Sequence, residues 1–267
     1  MLDAVIVIVN RDRPDLVKQQ IPNLHKFSGD AKFETCVVEM GSENVSEHKT
    51  IWYSDPAFRG KAFGHNVGLR FCELQYQWQP RAWIFLMNDL LFETCWRPLV
   101  DTLHAFPSVG VLSPTQPGAG YPKCQPESHL EPFHVVTTCD YLCLAMRPQD
   151  CREIGFLNPA FQYCWGAIHE LSYLMGRAGK SVAYHDHVHM KHLGGTTYGQ
   201  VASVCSRVDY VARAKDFAAN YFAVNYGSDW DRLFYEAMPV KPECNTFSMH
   251  KRFWGEPKLT PADEPIG

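Results

Sequence analysis

Three histidines alternate in the stretch Tyr184-His-Asp-His-Val-His-Met-Lys-His192, and on a β-strand His185, His187 and His189 share one face. Three imidazoles in a row are zinc chemistry. Strand neighbours two apart stand about 6–7 Å from each other, however, too splayed for one tetrahedral ion, which favours a solvated or partly hydrogen-bonded face. The ten cysteines contain no CxxC. That argues against a zinc ribbon and a thioredoxin-type site and leaves reduced, buried thiols in a cytoplasmic protein. Phosphate chemistry has better material. Arg59 and Lys61 flank Gly60 within reach of an anion, or form a solvated basic loop, and Asn66 precedes the apolar stripe Val67, Phe71, Leu74. An asparagine there either caps the helix or stands where free N–H groups favour anions. Trp165 offers an aromatic face that suits a ligand wall or a core.

The elements that must hold these groups alternate. Ala4 to Val9 is a continuous apolar run, the pattern of a strand covered on both faces, and ends in Asn10-Arg-Asp-Arg-Pro14. Val17, Ile21 and Leu24 then mark a helix that Pro22 kinks or shortens. Thr35 to Val38 is a second strand running into Glu39-Met-Gly-Ser42, and Phe63, Val67, Phe71 and Leu74 give a second helix. Trp83 to Met87 is a buried strand ending at Asn88-Asp89, and Val109 to Leu112 is another. Ser113 to Pro132, rich in proline and glycine, reads as a lid or binding loop. Strand-like Leu142 to Met146, a helix over Ile168 to Ala178 and strand-like Ser181 to Met190 follow, with Ile168, Leu171, Met175 and Ala178 on one core face. This order predicts an α/β fold with a mostly parallel sheet, whose ligands bind at the carboxyl ends of the strands. The polar clusters sit at those ends.

Composition bounds the rest. A chain of 267 residues, 46% hydrophobic and 20% charged, is an ordinary globular protein, with neither the bias of disorder nor of a disulfide scaffold. The first apolar run is six residues long, too short for a signal segment or a membrane span, and no later stretch suffices. The formal charge of −4 gives no general pull toward polyanions. Below a pH of about 6.5 the twelve histidines would reverse that sign. No internal repeat or linker divides the chain.

Taken in order, the clusters resemble the GT-A glycosyltransferases of the family 2 type, nucleotide-sugar-dependent enzymes that include rhamnosyl- and glucosyltransferases. Ala4 to Pro14 resembles their opening strand and turn, and Val37-Val-Glu-Met-Gly-Ser-Glu-Asn44 their base-reading motif. Gly60-Lys-Ala-Phe-Gly-His-Asn-Val-Gly68 is similar to the stretch along the nucleotide, and Phe85-Leu-Met-Asn-Asp89 to the metal-binding acid motif. Tyr163-Cys-Trp-Gly-Ala-Ile-His-Glu-Leu171 with Arg177-Ala-Gly179 resembles the motif that opens the acceptor helix, and His192-Leu-Gly-Gly195 the late histidine of the metal site. The likeness implies one GT-A domain over about 1–250, with a nucleotide-sugar half of about 1–112 and an acceptor half of about 113–250, before an irregular tail at 251–267.

What the resemblance implies for the site is specific. Asn10, Glu39, Ser42, Lys61, Asn66, Asn88 and Asp89 would bind a UDP-, dTDP- or GDP-sugar, and Asp89 with His192 would hold Mn²⁺ or Mg²⁺. Met87 stands where the motif has an acid or amide, so Asp89 is left as the one carboxylate. Asp140, Trp165 and Gly166 would bind the acceptor. Ala167 and Ile168 occupy the positions of the family's catalytic acid pair and cannot take a proton, so the base falls to Glu170, then His169, then Asp140. A retaining reaction would need no such base. The acceptor hydroxyl belongs to a saccharide, glycoconjugate or protein. A modified DNA base is disfavoured by the acidic total and would call for a basic rim such as Arg207, Arg213, Lys215, Lys251 and Arg252. Met87 and Ile168 leave open a catalytically reduced nucleotide-binding protein of the same fold, and nothing in the sequence fixes an oligomeric state.

Overall fold

A computed structural model of the chain describes residues 1–54, 60–77, 79–119, 122–127, 131–194 and 207–241. Strands β1 (Ala4–Asn10), β2 (Phe33–Met40), β3 (Ile51–Tyr53) and β4 (Ala82–Met87) pair in parallel in the order β3-β2-β1-β4. The alternation of strand with helices α1 (Pro14–Lys26) and α2 (Gly60–Tyr76) produces this half. Beyond it lie β5 (Leu90–Phe92), β6 (Val109–Thr115), β7 (Phe133–Val136), β8 (Cys143–Met146) and β9 (Ser181–His192). β8 runs antiparallel between β4 and β6, β6 is parallel to β9, and β9 also carries β5 and β7 antiparallel. The result is a nine-stranded mixed α/β sheet in a single domain.

Side chains of β1 alternate between two cores, as a doubly covered strand must. Val5 and Val7 face α2 and the helices α5 (Ala167–Arg177), α6 (Arg207–Tyr226) and α7 (Trp230–Glu236), while Ile6 and Ile8 face α1 and α3 (Arg97–Ala105). Short α4 (Pro148–Glu153) follows β8. Ile168, Leu171 and Met175 are buried together in the first core, as their spacing predicts. Six of the eight described cysteines are buried, and all eight are free thiols. Among the described residues no helix is long and apolar enough to cross a membrane.

Several local expectations change. Helix α1 runs through Pro22 without a break, because Pro22 and Lys18 lie on its exposed side, where water can take the carbonyl that proline leaves unbonded. Helix α2 starts at Gly60, three residues before the predicted stripe, and Leu74 is 84% exposed. Phe63, Val67 and Phe71 pack against the core as predicted, and Gly64 and Gly68 are buried with Ala62, Leu69 and Cys72 on the face nearest the sheet. A Cβ on Gly68 would stand 2.4 Å from Val7 Cγ1, and one on Gly64 2.9 Å from Val9 Cγ1, so the glycines let the helix lie directly on β1. The loop expected over 113–132 is shorter: β6 continues to Thr115, and a 3-10 turn at Pro122–Cys124 follows. Gln125 ties that turn together by donating to the carbonyls of Gln116 and Ala119. On β9 a register shift against β6 falls between His185 and His189, so the three histidines do not form one solvated face. His185 is buried against Thr102, whereas His187 is exposed. The tail over 251–267 lies outside the described residues, as do Arg59, Gly195, Lys251 and Arg252 and the side chain of Arg207.

Candidate active site

The carboxyl ends of β1, β2 and β4 meet in one buried polar network. Asn88 Nδ2 donates to Asn10 Oδ1, and Asn10 Nδ2 donates to both oxygens of Glu39, at 2.9 and 3.0 Å. Ser42 Oγ and the Ser46 backbone N–H complete the Glu39 carboxylate. Burying a full carboxylate requires such partners, and Glu39 is 0% exposed. Its oxygens are therefore engaged in fixing the loop after β2, which Asp12 secures from the other side through the N–H groups of Glu43 and Asn44.

Asp89 follows this network on the turn between β4 and β5. β5 pairs with β9 in a register that sets Leu90 opposite His192, and the Leu193 N–H donates to the Asp89 carbonyl at 2.9 Å. That register delivers the His192 imidazole to the Asp89 carboxylate, with Nε2 and Oδ2 3.1 Å apart. Burial opposes the charge on Asp89, yet the hydrogen bond and charge of His192, helped by Lys61, hold its carboxyl below the ordinary value. Gln20, fully buried on α1, donates to the carbonyls of Met87 and Leu90 and so clamps the turn. An amide on the inner face of an amphipathic helix carries no sequence signature for that role.

Lys61 enters from the first turn of α2. Its Nζ donates to the Tyr141 carbonyl, lies 3.2 Å from Met87 Sδ and sits 4.2 Å from the centre of the Tyr141 ring. Burial pushes its pKa down, against the opposing charges of Cys164, Asp89 and Asp140. Gly60 makes this entry possible. It has φ +75°, and a Cβ there would stand 2.1 Å from the Gln162 carbonyl oxygen, so the helix start fits under the 162–164 segment only without a side chain. Asn66 lies two turns in and caps nothing: Nδ2 donates to the Leu157 carbonyl at 2.6 Å and Oδ1 accepts the Leu157 N–H at 3.3 Å. Beneath them His65 meets the Tyr141 hydroxyl at 2.8 Å, and burial together with the Lys61 charge pushes its pKa down to about 3.

The segment before β8 faces the same place. The Met87 N–H donates to the Leu142 carbonyl at 2.9 Å, which sets Asp140 and Tyr141 beside the Asp89 turn. Asp140 pairs with Lys123 at 2.8 Å and accepts from Cys124 at 3.2 Å, and the Tyr184 hydroxyl accepts its N–H. Burial disfavours its charge, but Lys123, Cys124 and more distant Lys61 keep its pKa below the usual range. His169 feels the charges of Lys123 and Asp140, and burial first, then Lys123, pushes it down to about 3. Glu170 turns the other way. Its oxygens accept from Asn158 at 2.8 Å and from the Tyr226 hydroxyl of α6, joining α5 to α6. Trp165 packs by Tyr163, Tyr210 and Ala214, with Lys215 Nζ 5.9 Å from its ring centre. A Cβ on Gly166 would strike Phe161 at 2.6 Å, so this glycine serves helix packing.

Among the described residues no group of three or more His, Cys, Asp and Glu could hold a metal ion. The pair Asp89 and His192 still fits a divalent cation that takes its remaining ligands from a diphosphate and water, since a carboxylate and an imidazole already converge there.

Neither protein-family models nor the curated proteins contain a match to this chain. Solved structures do. A mannosyltransferase, PcManGT from Pyrobaculum calidifontis in complex with GDP-Man and Mn²⁺, superposes with a TM-score of 0.55 at 13% identity, over 89% of this chain and 72% of that one. GalNAc-T7 with UDP, GalNAc and Mn²⁺ gives 0.59 at 13% identity over 86% of this chain, which spans 53% of the GalNAc-T7 chain. S. aureus TarS, residues 1–349 in complex with UDP, gives 0.53 at 11% identity, over 88% and 70%. The chain has the GT-A fold of these glycosyltransferases.

Proposed function

We propose that the chain moves a sugar from a nucleoside diphosphate to an acceptor hydroxyl, at the carboxyl ends of β1, β2 and β4. The observation that carries this is the meeting of Asp89 with His192 beside the Lys61 ammonium, on a sheet of the GT-A type. Asp89 and His192 would hold Mn²⁺ or Mg²⁺ together with the diphosphate oxygens of a UDP-, dTDP- or GDP-sugar. Bound there, the cation would neutralise charge gathering on the departing diphosphate. Glu39, Asn10, Ser42 and Asn88 shape the wall against which the nucleoside lies, and Asn66 fixes the neighbouring segment at Leu157.

For an inverting transfer a base must stand on the acceptor side of the anomeric carbon. Asp140 suits this best: it is ionised, its side chain is 28% exposed, and it borders the Asp89 turn. His169 lines the same side. Glu170, engaged with Asn158 and Tyr226, acts as a positioning residue for the acceptor helix, and Trp165 with Gly166 shapes its entrance. The acceptor is a saccharide or glycoconjugate. Lys215, one of the basic residues that a DNA acceptor would need, is stacked over Trp165.

A panel of UDP-, dTDP- and GDP-sugars, assayed with Mn²⁺ for release of nucleotide, tests the reading. One donor should be turned over, and Asp140→Asn should lower kcat about 100-fold or more while donor binding stays within about twofold. A second reading, a nucleotide-binding protein without transfer, has Met87 at the acid position in its favour. It would show as nucleotide binding with no release from any donor.

A further inference from the structure

Among the described residues, the contacts of the Lys61 ammonium are a carbonyl, a thioether and an aromatic face, and none of them is an anion. A buried cation is ordinarily paired. The two acids that act on it through space have nearer partners: Asp89 meets the His192 imidazole at 3.1 Å and Asp140 pairs with Lys123 at 2.8 Å. Beside the Tyr141 ring it touches Met87, at 3.2 Å, in the position where the acid motif of the resembled family places a carboxylate or amide. An aspartate at 87 would sit on the ammonium and cancel it. Methionine leaves the ammonium without a carboxylate in contact, beside the turn that carries Asp89, held in place by the Tyr141 carbonyl and ring.

We infer that Lys61 is a built-in cation for the diphosphate, so that this site takes a nucleoside diphosphate without a divalent metal. The inference rests on the proposed donor site and adds to it. A metal held by Asp89 and His192 and the fixed Lys61 ammonium would address the same diphosphate from two sides, and the second needs nothing from solution. A charge-assisted N–H to a phosphate oxygen is among the stronger hydrogen bonds available, and the low dielectric around Lys61 strengthens it. Met87 contributes by being uncharged.

The test is calorimetric titration of the full chain with UDP and with GDP, each in Mn²⁺ and in EDTA, with UMP and GMP as controls. At least one diphosphate should bind in EDTA within about tenfold of its affinity in Mn²⁺, and its monophosphate at least about tenfold more weakly. Lys61→Met should lose about 30-fold or more of the EDTA affinity and less in Mn²⁺, where the cation also holds the diphosphate. Met87→Asp should reproduce that loss with the lysine still present. Thermal midpoints guard against misfolding, and Lys61→Met should melt at or above the wild type, because it removes a desolvated charge. Binding that needs Mn²⁺ and is indifferent to Lys61→Met overturns the inference and leaves the donor site standing. Binding of no nucleotide in either buffer overturns both.

Discussion

Asp89→Asn is expected to lower kcat/KM for sugar transfer in Mn²⁺ by about 100- to 1,000-fold, the cost typical of removing one electrostatic stabiliser of a transition state. The carboxylate is 3% exposed and kept ionised by His192 and Lys61, so the amide removes a full buried charge and changes shape little. With it goes the partner that orients the His192 imidazole. His192→Ala should act in the same direction, and the double variant should cost less than the product of the two, because both act through one cation. Folding should survive, since the turn is also held by Gln20 and by the Leu193 N–H. Steady-state kinetics over a Mn²⁺ series, beside denaturant midpoints, separates loss of the site from loss of the fold.

A second large effect concerns acid. His65 and His169 are pushed down to about 3 and His185 to about 4, in each case chiefly by burial, with Lys61, Lys123 and His187 respectively adding repulsion. A depressed histidine is neutral when folded and charges only when the chain unfolds. Between a pH of about 6.5 and 4 the unfolded state therefore binds more protons, and stability falls as pH falls, by about 1.4 kcal/mol per unit for each histidine. Three together reach about 4 kcal/mol per unit, a large share of the roughly 5–15 kcal/mol that stabilises an ordinary domain. His134 works the other way. Burial opposes its charge, but Asp186, 2.8 Å away, raises its pKa, so its contribution is complete below about 6.5 and fades as pH rises through the folded value. Urea midpoints should drop steeply from pH 7 to 5, and His185→Asn should flatten the slope by about a third. A midpoint unchanged across that range would contradict the assignment of these three buried rings as neutral.

The strands were the legible part of the sequence. β1 and β4 are uninterrupted apolar runs, and only a doubly covered strand explains such runs at that length. Helix α2 is only partly legible: Phe63, Val67 and Phe71 pack against the core as their spacing predicts, but Leu74 is exposed, and the closest approach to β1 is made by glycines, which carry no apolar signal. The meeting of Asp89 and His192 depends on the β5–β9 register, and β5 is only three residues long, too short to see in a pattern. His169 and Glu170 show the limit of motif reading. Adjacent helical residues point about 100° apart. One of these two thus falls beside Asp140 and the other under α6, a division that tertiary packing decides. Likewise the alternation of His185, His187 and His189 is broken by a register shift that pairing with β6 imposes.

A cation site between Asp89 and His192 is central to the proposed transfer, and anomalous scattering from crystals soaked with Mn²⁺ and UDP or GDP tests it most directly. One peak should appear within about 2.0–2.4 Å of an Asp89 carboxylate oxygen and a His192 ring nitrogen, with diphosphate density beside it and Lys61 on the diphosphate's far side. A Mn²⁺ peak elsewhere, for instance along His185 to His189, or nucleotide bound away from the Asp89 turn, would contradict it.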